Sequence, residues 1–180
     1  MLHMSQLNYN IIVELMKQNN HIRGLAKCLN TNQTTIARKV KEFESQNVLD
    51  YRKEGKNKVY FIKKTIEAQI YIKIVEYNKL IEIAKKYPRL RHIIEKINSE
   101  EEIGLAILFG SYAKHNANKE SDIDIYIETE NRILKKTIEL LDSKISLKIG
   151  KFDKTMPLGK EIIRYHVIIK GVDIYYKIIH

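Results

Sequence analysis

Residues 106–128, AILFGSYAKHNANKESDIDIYIE, constrain the fold of this chain more than any other stretch. They begin with an apolar run that ends at Gly110-Ser111, and three isoleucines alternate with other residues at their far end. A period of two predicts a strand that buries the isoleucines on one face and presents Asp122 and Asp124 together on the other. We therefore expect two strands joined by a polar connection, with two carboxylates side by side.

Two neighbouring carboxylates predict a cation site. They repel each other when both are ionised, and a divalent cation is the usual way to keep both charged at neutral pH. Mg²⁺ prefers oxygen ligands and completes its shell with substrate phosphates. Gly110 lets the backbone approach a ligand closely, and Ser111 offers a hydroxyl and an amide to a phosphate. The pattern therefore predicts a phosphate site beside a metal site on Asp122 and Asp124.

The order of strand, Gly-Ser, polar connection and Asp-x-Asp resembles the nucleotidyltransferase superfamily related to DNA polymerase beta, in particular its small prokaryotic members. The resemblance covers the chain from roughly residue 100 onward. It implies that Gly110 and Ser111 contact the phosphates of ATP or another nucleoside triphosphate. It also implies that Asp122 and Asp124 are the catalytic carboxylates and hold Mg²⁺ or Mn²⁺ while an acceptor hydroxyl attacks the α-phosphate.

The chain departs from that family in two places. The family carries a third carboxylate on a later strand, where this sequence has Ser146 or Lys148; Asp153, just past that strand, is a substitute metal ligand. Small family members read Gly-Ser-x-Ala-Arg-Gly, whereas Lys114 and His115 occupy the last two positions here. Lys114 keeps a positive charge for the phosphates but lacks the planar fork of arginine, and we interpret His115 as a surface loop residue.

The first 64 residues predict three helices and a basic hairpin. Two short strand-like runs, residues 48–51 and 59–62, flank a turn at Gly55, and Thr31 or Asn32 is a candidate N-cap for the third helix. Apolar residues at helical spacing mark the three helices: Ile11, Ile12, Leu15 and Met16; Ile22, Leu25, Ala26 and Leu29; Ile36, Val40 and Phe43.

This segment resembles the winged helix-turn-helix family, on the sequence HIRGLAKCLNTNQTTIARKVKEFESQNVLDYRKEGKNKVYFI. The resemblance implies binding of double-stranded DNA, with the third helix in the major groove and the hairpin, or wing, on the backbone. Residues 1–64 hold twelve Lys or Arg against five Asp or Glu, which accounts for +7 of the net charge of +10. The candidate DNA contacts are Thr34, Thr35, Arg38 and Lys39 on the helix and Lys53, Lys56 and Lys58 on the wing.

Residues 65–99 predict a helical connector between the two modules. A long helix over residues 65–86 has a wide apolar face, which indicates either a homodimer interface or packing within one domain. Pro88 ends it, and a short helix over residues 89–97 follows. We therefore expect a winged helix-turn-helix domain at 1–64, the connector at 65–99 and a nucleotidyltransferase-like domain at 100–180, in an α/β (α+β) fold.

In the last domain we expect a helix over residues 132–141, a strand over 145–149, a helix over 157–164 and a strand-like tail over 167–179. Glu161 and Asp173 are interpreted as surface residues. The single cysteine, Cys28, cannot form an internal disulfide, which fits a cytoplasmic protein, and its place in an apolar-periodic helix predicts a core position. The apolar runs are too short for a membrane span, and the N-terminus lacks the apolar region of a signal peptide.

Three functions stay open at this point. The first is a DNA-binding nucleotidyltransferase acting on a protein, a nucleic acid or a small molecule. The second is a transcriptional regulator whose nucleotidyltransferase-like module senses nucleotide without catalysis. The third is an antitoxin-like partner of a toxin protein.

Overall fold

The computed structural model describes residues 4–179 and divides the chain into two compact units, Met1–Val75 and Glu76–His180. The boundary lies inside one long helix, α4 (Ile66–Lys86). The segment interpreted as a connector is therefore shared between the units rather than forming a third one. Within the described residues, no helix has both the length and the apolar character needed to cross a membrane.

The first unit has the arrangement of elements predicted for a winged helix-turn-helix. Three helices precede a hairpin, and a two-residue strand joins the hairpin to make an antiparallel sheet in the order β1-β3-β2. The elements before α4 are α1 (Gln6–Lys17), β1 (Asn20–His21), α2 (Ile22–Cys28), α3 (Gln33–Ser45), β2 (Leu49–Glu54) and β3 (Asn57–Ile62).

Local sequence signals account for much of the first unit. The Asn32 side chain caps α3 by accepting a hydrogen bond of 2.7 Å from the Thr35 amide, so one of the two candidate caps is confirmed. Gly55 adopts a φ of +59° in the β2–β3 turn, as expected for a tight hairpin. The core position predicted for Cys28 is wrong, because it is the last residue of α2 and its side chain is exposed.

The second unit is a four-stranded mixed sheet with helices on both faces. The strand order is β6-β5-β4-β7, with β5 and β6 parallel and the other pairs antiparallel. After α4 and a 3-10 turn (Pro88–Leu90), the elements are α5 (Arg91–Ser99), β4 (Ala106–Leu108), α6 (Gly110–Ala113), β5 (Ile123–Ile127), α7 (Arg132–Glu139), β6 (Ile145–Ile149), α8 (Pro157–Arg164), β7 (Val167–Lys170) and α9 (Val172–Ile179).

The alternation along β5 divides its residues between two hydrophobic cores. The three isoleucines pack with residues of α5 and α7 on one face of the sheet. On the other face, Tyr126 packs in a cluster with Ile162 of α8 and Tyr175 of α9. Asp124 has the same parity as Tyr126, so it projects toward the face that α8 and α9 cover.

The strand predicted over residues 167–179 is wrong in its second half. The strand β7 ends at Lys170, and Gly171 follows with a φ of +86°, a conformation that favours glycine. A Cβ on Gly171 would lie 2.2 Å from the carbonyl oxygen of Gly104, so this turn also needs the missing side chain. The helix α9 then buries Val172 and Tyr175, which are spaced three residues apart as on one helix face.

The second unit also contains a buried charged group. Glu76 is fully buried, and no other charged residue in the described part of the chain is buried. Its Oε1 accepts hydrogen bonds of 2.8 Å from Lys79 Nζ and from the Tyr176 hydroxyl, and His166 Nε2 lies 3.7 Å from the same oxygen. Burial would raise the pKa of Glu76, but His166 and Lys79 outweigh burial and lower it to about 2.

Candidate functional site

The Gly110 backbone lies directly against the Asp124 carboxylate. The amide of Phe109 donates a hydrogen bond of 2.9 Å to the Asp124 carbonyl, which fixes the end of β4 beside β5. Gly110 is buried with a φ of +66°, and a Cβ at this position would lie 2.1 Å from Asp124 Oδ2. Only glycine therefore allows this close approach of backbone and carboxylate. Ser111 follows as the second residue of α6 and is partly exposed.

The carboxylates of Asp122 and Asp124 differ in environment. Asp122 is exposed just before β5 begins, whereas Asp124 is partly buried within it. Burial raises the pKa of Asp124, and the charges of Asp122 and Glu161 raise it further, against the opposing effects of Lys148 and of a hydrogen bond from Ser146. The ionised form of Asp124 is thus disfavoured by its surroundings, and a cation would relieve this.

The position opposite Asp124 on the neighbouring strand holds no acid. In the parallel register of β5 and β6, Asp124 pairs with Ser146 and Tyr126 pairs with Lys148. Among residues 4–179, no group of three His, Cys, Asp or Glu side chains is placed to hold a metal ion. The pair nevertheless fits Mg²⁺, because this ion is commonly held by one or two carboxylates with phosphate oxygens as its other ligands.

The helix α3 carries four of the candidate DNA contacts, and two of these four form ion pairs within the helix. Thr34 and Arg38 are exposed, and Thr35 and Lys39 are partly exposed. Arg38 and Lys39 each form an ion pair of 2.8 Å with Glu42 one turn later. A new partner for Arg38 or Lys39 would therefore replace an ion pair within the helix, and pairs at this spacing are individually weak.

The wing adds exposed lysines at its tip. Lys53, Lys56 and Lys58 are all exposed, and Lys53 pairs with Lys58 across the hairpin. Lys58 Nζ lies 3.8 Å from the centre of the Tyr51 ring, a cation–π contact that holds the ammonium group.

Sequence reasoning missed a further basic surface between α2 and α3. An open depression of about 900 Å³ is lined there by Arg23 and Lys27 together with polar residues 30–33. Both basic side chains are exposed. Their signal was present in the sequence as two charges on the outer face of a helix whose apolar residues are buried.

Comparison with known proteins identifies the region that contains the Asp pair. Residues 91–178 match the family model of polymerase beta, nucleotidyltransferase. The match takes in the whole mixed sheet and just under half of the chain. The second unit therefore has a nucleotidyltransferase-like fold, and the predicted fold class is confirmed for both units.

Comparisons with solved structures and with curated proteins establish no further family for the chain. Among solved structures, the chain resembles the adhesin competence repressor AdcR from Streptococcus pyogenes, with 17% identity over 54% of this chain and 78% of that chain. The TM-score is 0.36, which is too low to establish a common fold. No curated protein matches the chain.

Two other candidate residues of the nucleotidyltransferase-like unit have partners outside the Asp pair. The exposed Asp153 carboxylate accepts hydrogen bonds of 2.8 and 2.7 Å from the amide and hydroxyl of Thr155, which lower its pKa. Lys114 Nζ is 3.1 Å from Oε1 of Glu161 on α8. Glu161 is exposed, as its prediction as a surface residue requires, and its charge raises the pKa of Asp124.

Proposed function

We propose that the second unit binds a nucleoside triphosphate, such as ATP, together with Mg²⁺ or Mn²⁺, and transfers its nucleotidyl group to an acceptor hydroxyl. The single observation that carries this proposal is the Gly110 backbone packed against the Asp124 carboxylate, with Asp122 beside it. That arrangement brings the backbone at the start of α6 next to the carboxylates, so a phosphate bound at this backbone would lie near the cation that they hold. The match to the nucleotidyltransferase family over residues 91–178 supports it.

The proposed roles follow from position. Gly110 and Ser111 contact the phosphates, and Lys114, one residue past α6, adds a positive charge for them. Asp122 and Asp124 would hold the divalent cation, which would supply positive charge to neutralise the phosphates. The acceptor oxygen attacks the α-phosphate in line, the proton of its hydroxyl passes to water, and the bond to pyrophosphate breaks. Ser146 lies opposite Asp124, where the family resemblance implies an acid. We therefore expect the protein to bind the nucleotide but to transfer its nucleotidyl group slowly.

A second candidate function is a regulator that senses nucleotide without transferring it. The residue that favours it is Ser146, because a hydroxyl cannot replace a carboxylate as a ligand that activates the acceptor. Incubation with ATP carrying a labelled α-phosphate separates the two functions. Transfer of label to an acceptor identifies the enzyme, whereas binding of ATP without transfer identifies the sensor. An antitoxin-like role beside a toxin protein stays a prediction from the sequence.

We also propose that the first unit binds double-stranded DNA. The proposal rests on the winged helix-turn-helix fold together with the exposed positive charge of α3, the wing and the depression between α2 and α3. Helix α3 would enter the major groove, with Thr35 and Arg38 nearest the base edges. The lysines of the wing would contact phosphates.

Neutralising the tip of the wing should weaken DNA binding in a salt-dependent way. A Lys53→Gln/Lys56→Gln variant should lose affinity for a generic duplex, and the slope of log affinity against log salt should fall by about 1 for each phosphate contact removed. Fluorescence anisotropy with a labelled duplex across a salt series measures both quantities. The matched control is Lys17→Gln, which removes one exposed charge at the end of α1. An unchanged slope in the double variant would contradict the proposed wing contact.

We further propose that the protein is a homodimer that uses α4. This helix exposes four large apolar side chains, Ile66, Ile70, Tyr77 and Ile81, which recur on one side at helical spacing. Sedimentation velocity at micromolar concentration should give a dimer for the wild type and a monomer for Ile70→Gln/Tyr77→Gln. Glu82→Gln, at an exposed position elsewhere on α4, should stay dimeric. A monomeric wild-type protein would rule out this assembly.

A further inference from the structure

The ion pair between Lys114 and Glu161 joins the two sides of the proposed nucleotide site. Lys114 ends the short helix that Gly110 begins, and its amide donates a hydrogen bond of 3.2 Å to the Gly110 carbonyl. Glu161 lies on α8, in the stretch after β6, and its Oε1 is 3.1 Å from Lys114 Nζ. The side chains are 35% and 45% exposed, so both can exchange partners without unfolding their elements.

Glu161 also lies on the helix that covers the sheet face of Asp124. Asp124 projects toward the sheet face that α8 covers, and Ile162, the neighbour of Glu161, is buried in the core on that face. The charge of Glu161 raises the pKa of Asp124, which places it within electrostatic reach. Three acidic groups and two lysines, Lys114 and Lys148, thus share this region, and Lys114 is the ion-pair partner of one of the three acids.

We propose that Lys114 and Glu161 form a charge switch that makes nucleotide binding depend on the divalent cation. In the free protein, Lys114 and Glu161 neutralise each other. A bound triphosphate forms an ion pair with Lys114 in place of Glu161. Glu161 then has no ion-pair partner in the region of Asp122 and Asp124. The divalent cation compensates the unpaired negative charge of Glu161 when it binds together with the nucleotide. Without the cation, this charge repels the triphosphate and lowers the affinity for it.

The switch couples the binding of the nucleotide to the binding of the divalent cation, and Glu161 sets the size of the coupling free energy. Without Glu161, Lys114 has no ion-pair partner to leave, and the site carries one negative charge fewer. Nucleotide without cation should then bind more tightly, whereas nucleotide with cation should bind about as before. The inference rests on the proposed nucleotide site, because it assigns residues that regulate binding there.

Equilibrium binding of a fluorescent ATP analogue, measured with Mg²⁺ and with EDTA, tests the switch in the full chain. For Glu161→Gln we expect the ratio of the two dissociation constants to shrink about three- to fivefold, through tighter binding in EDTA, as expected for an exposed ion pair worth up to about 1 kcal/mol. Glu161→Asp keeps the charge and should restore the wild-type ratio. Glu139→Gln breaks a similarly exposed Lys–Glu pair on α7 and should leave the ratio unchanged.

The outcomes separate the switch from the site itself. If the wild type binds the analogue in Mg²⁺ but Glu161→Gln shifts both dissociation constants equally or leaves both unchanged, the switch is wrong and the nucleotide site stands. If the wild type does not bind the analogue in Mg²⁺, the proposed nucleotide site is wrong and the switch falls with it.

Discussion

An Asp124→Asn variant is expected to bind Mg²⁺-nucleotide about 10- to 100-fold more weakly than the wild type and to lose transfer at least in proportion. Losses of this size are typical even for residues that only support a metal ligand, and Asp124 is proposed as a ligand itself. The change removes one charge and keeps the shape of the side chain. The close contact with Gly110 can therefore persist, and the expected defect is in binding rather than in folding.

The comparison uses the same fluorescent analogue, with label transfer from ATP as a second measurement. Glu120→Gln is the matched control, because it removes an acidic charge from the same connection at a side chain that is 93% exposed. Circular dichroism should give the same unfolding midpoint for both variants, within a few degrees of the wild type. Equal nucleotide affinity in the wild type and Asp124→Asn would exclude Asp124 as the cation ligand, whatever the transfer assay gives.

The placement of the four proposed site residues could be predicted from the sequence because they lie close together along the chain. Gly110, Ser111, Asp122 and Asp124 fall within two adjacent strands and one connection, and a period of two is enough to place both carboxylates on one face. The choice between Ser146 and Lys148 as the residue opposite Asp124 could not be made, because it depends on the register of two parallel strands. The observed pairing of Asp124 with Ser146 settles that choice.

The contribution of Glu161 could not be predicted for a related reason. It lies 37 residues after Asp124 and on a different element, so only the packing of α8 on the sheet brings its charge near the pair. Nothing in the local pattern of α8 distinguishes Glu161 from an ordinary solvated acid. The tail differs from its prediction for another reason: the apolar run after Val167 predicts one strand, whereas the glycine at position 171 ends that strand and a helix follows.

The long helix shows how one sequence pattern can have two structural causes. Its wide apolar face predicted extra neighbours, and part of that face is used inside the chain. Tyr71 and Val75 belong to the hydrophobic core of the first unit, and Ile83 belongs to a core of the second. A helix that serves two cores needs apolar residues around much of its circumference. Apolar spacing alone therefore cannot distinguish a shared helix from a dimer interface, which is why the division of α4 was not predicted.

A Glu76→Gln variant is expected to lose about 3 to 5 kcal/mol of the free energy of unfolding of the second unit at neutral pH. The variant would leave Lys79 and His166 without the buried carboxylate that they face, and breaking a buried pair from one side typically costs this much. Urea unfolding followed by circular dichroism measures the loss. Glu82→Gln, an exposed carboxylate on the same helix, should change the free energy of unfolding by less than about 0.5 kcal/mol.

The pH dependence of unfolding gives an independent check on the same residue. The pKa of Glu76 falls from an ordinary value of 4.5 to about 2 in the folded protein. A carboxyl with a lowered folded pKa stabilises the fold fully above its unfolded pKa, and this contribution disappears as the pH falls through the folded value. The wild type should therefore lose about 3 kcal/mol from Glu76 between pH 5 and pH 2, at 1.36 kcal/mol for each unit of pKa difference.

Glu76→Gln should lack that part of the acid dependence, so the unfolding curves of variant and wild type should converge as the pH approaches 2. Parallel curves, separated by the same free energy at pH 6 and pH 3, would mean that the buried carboxylate acts through packing and not through its charge. Convergence would instead show that the charge of Glu76 stabilises the second unit. The hydrogen bond that Glu76 accepts from Tyr176 connects α4 to α9 in this network.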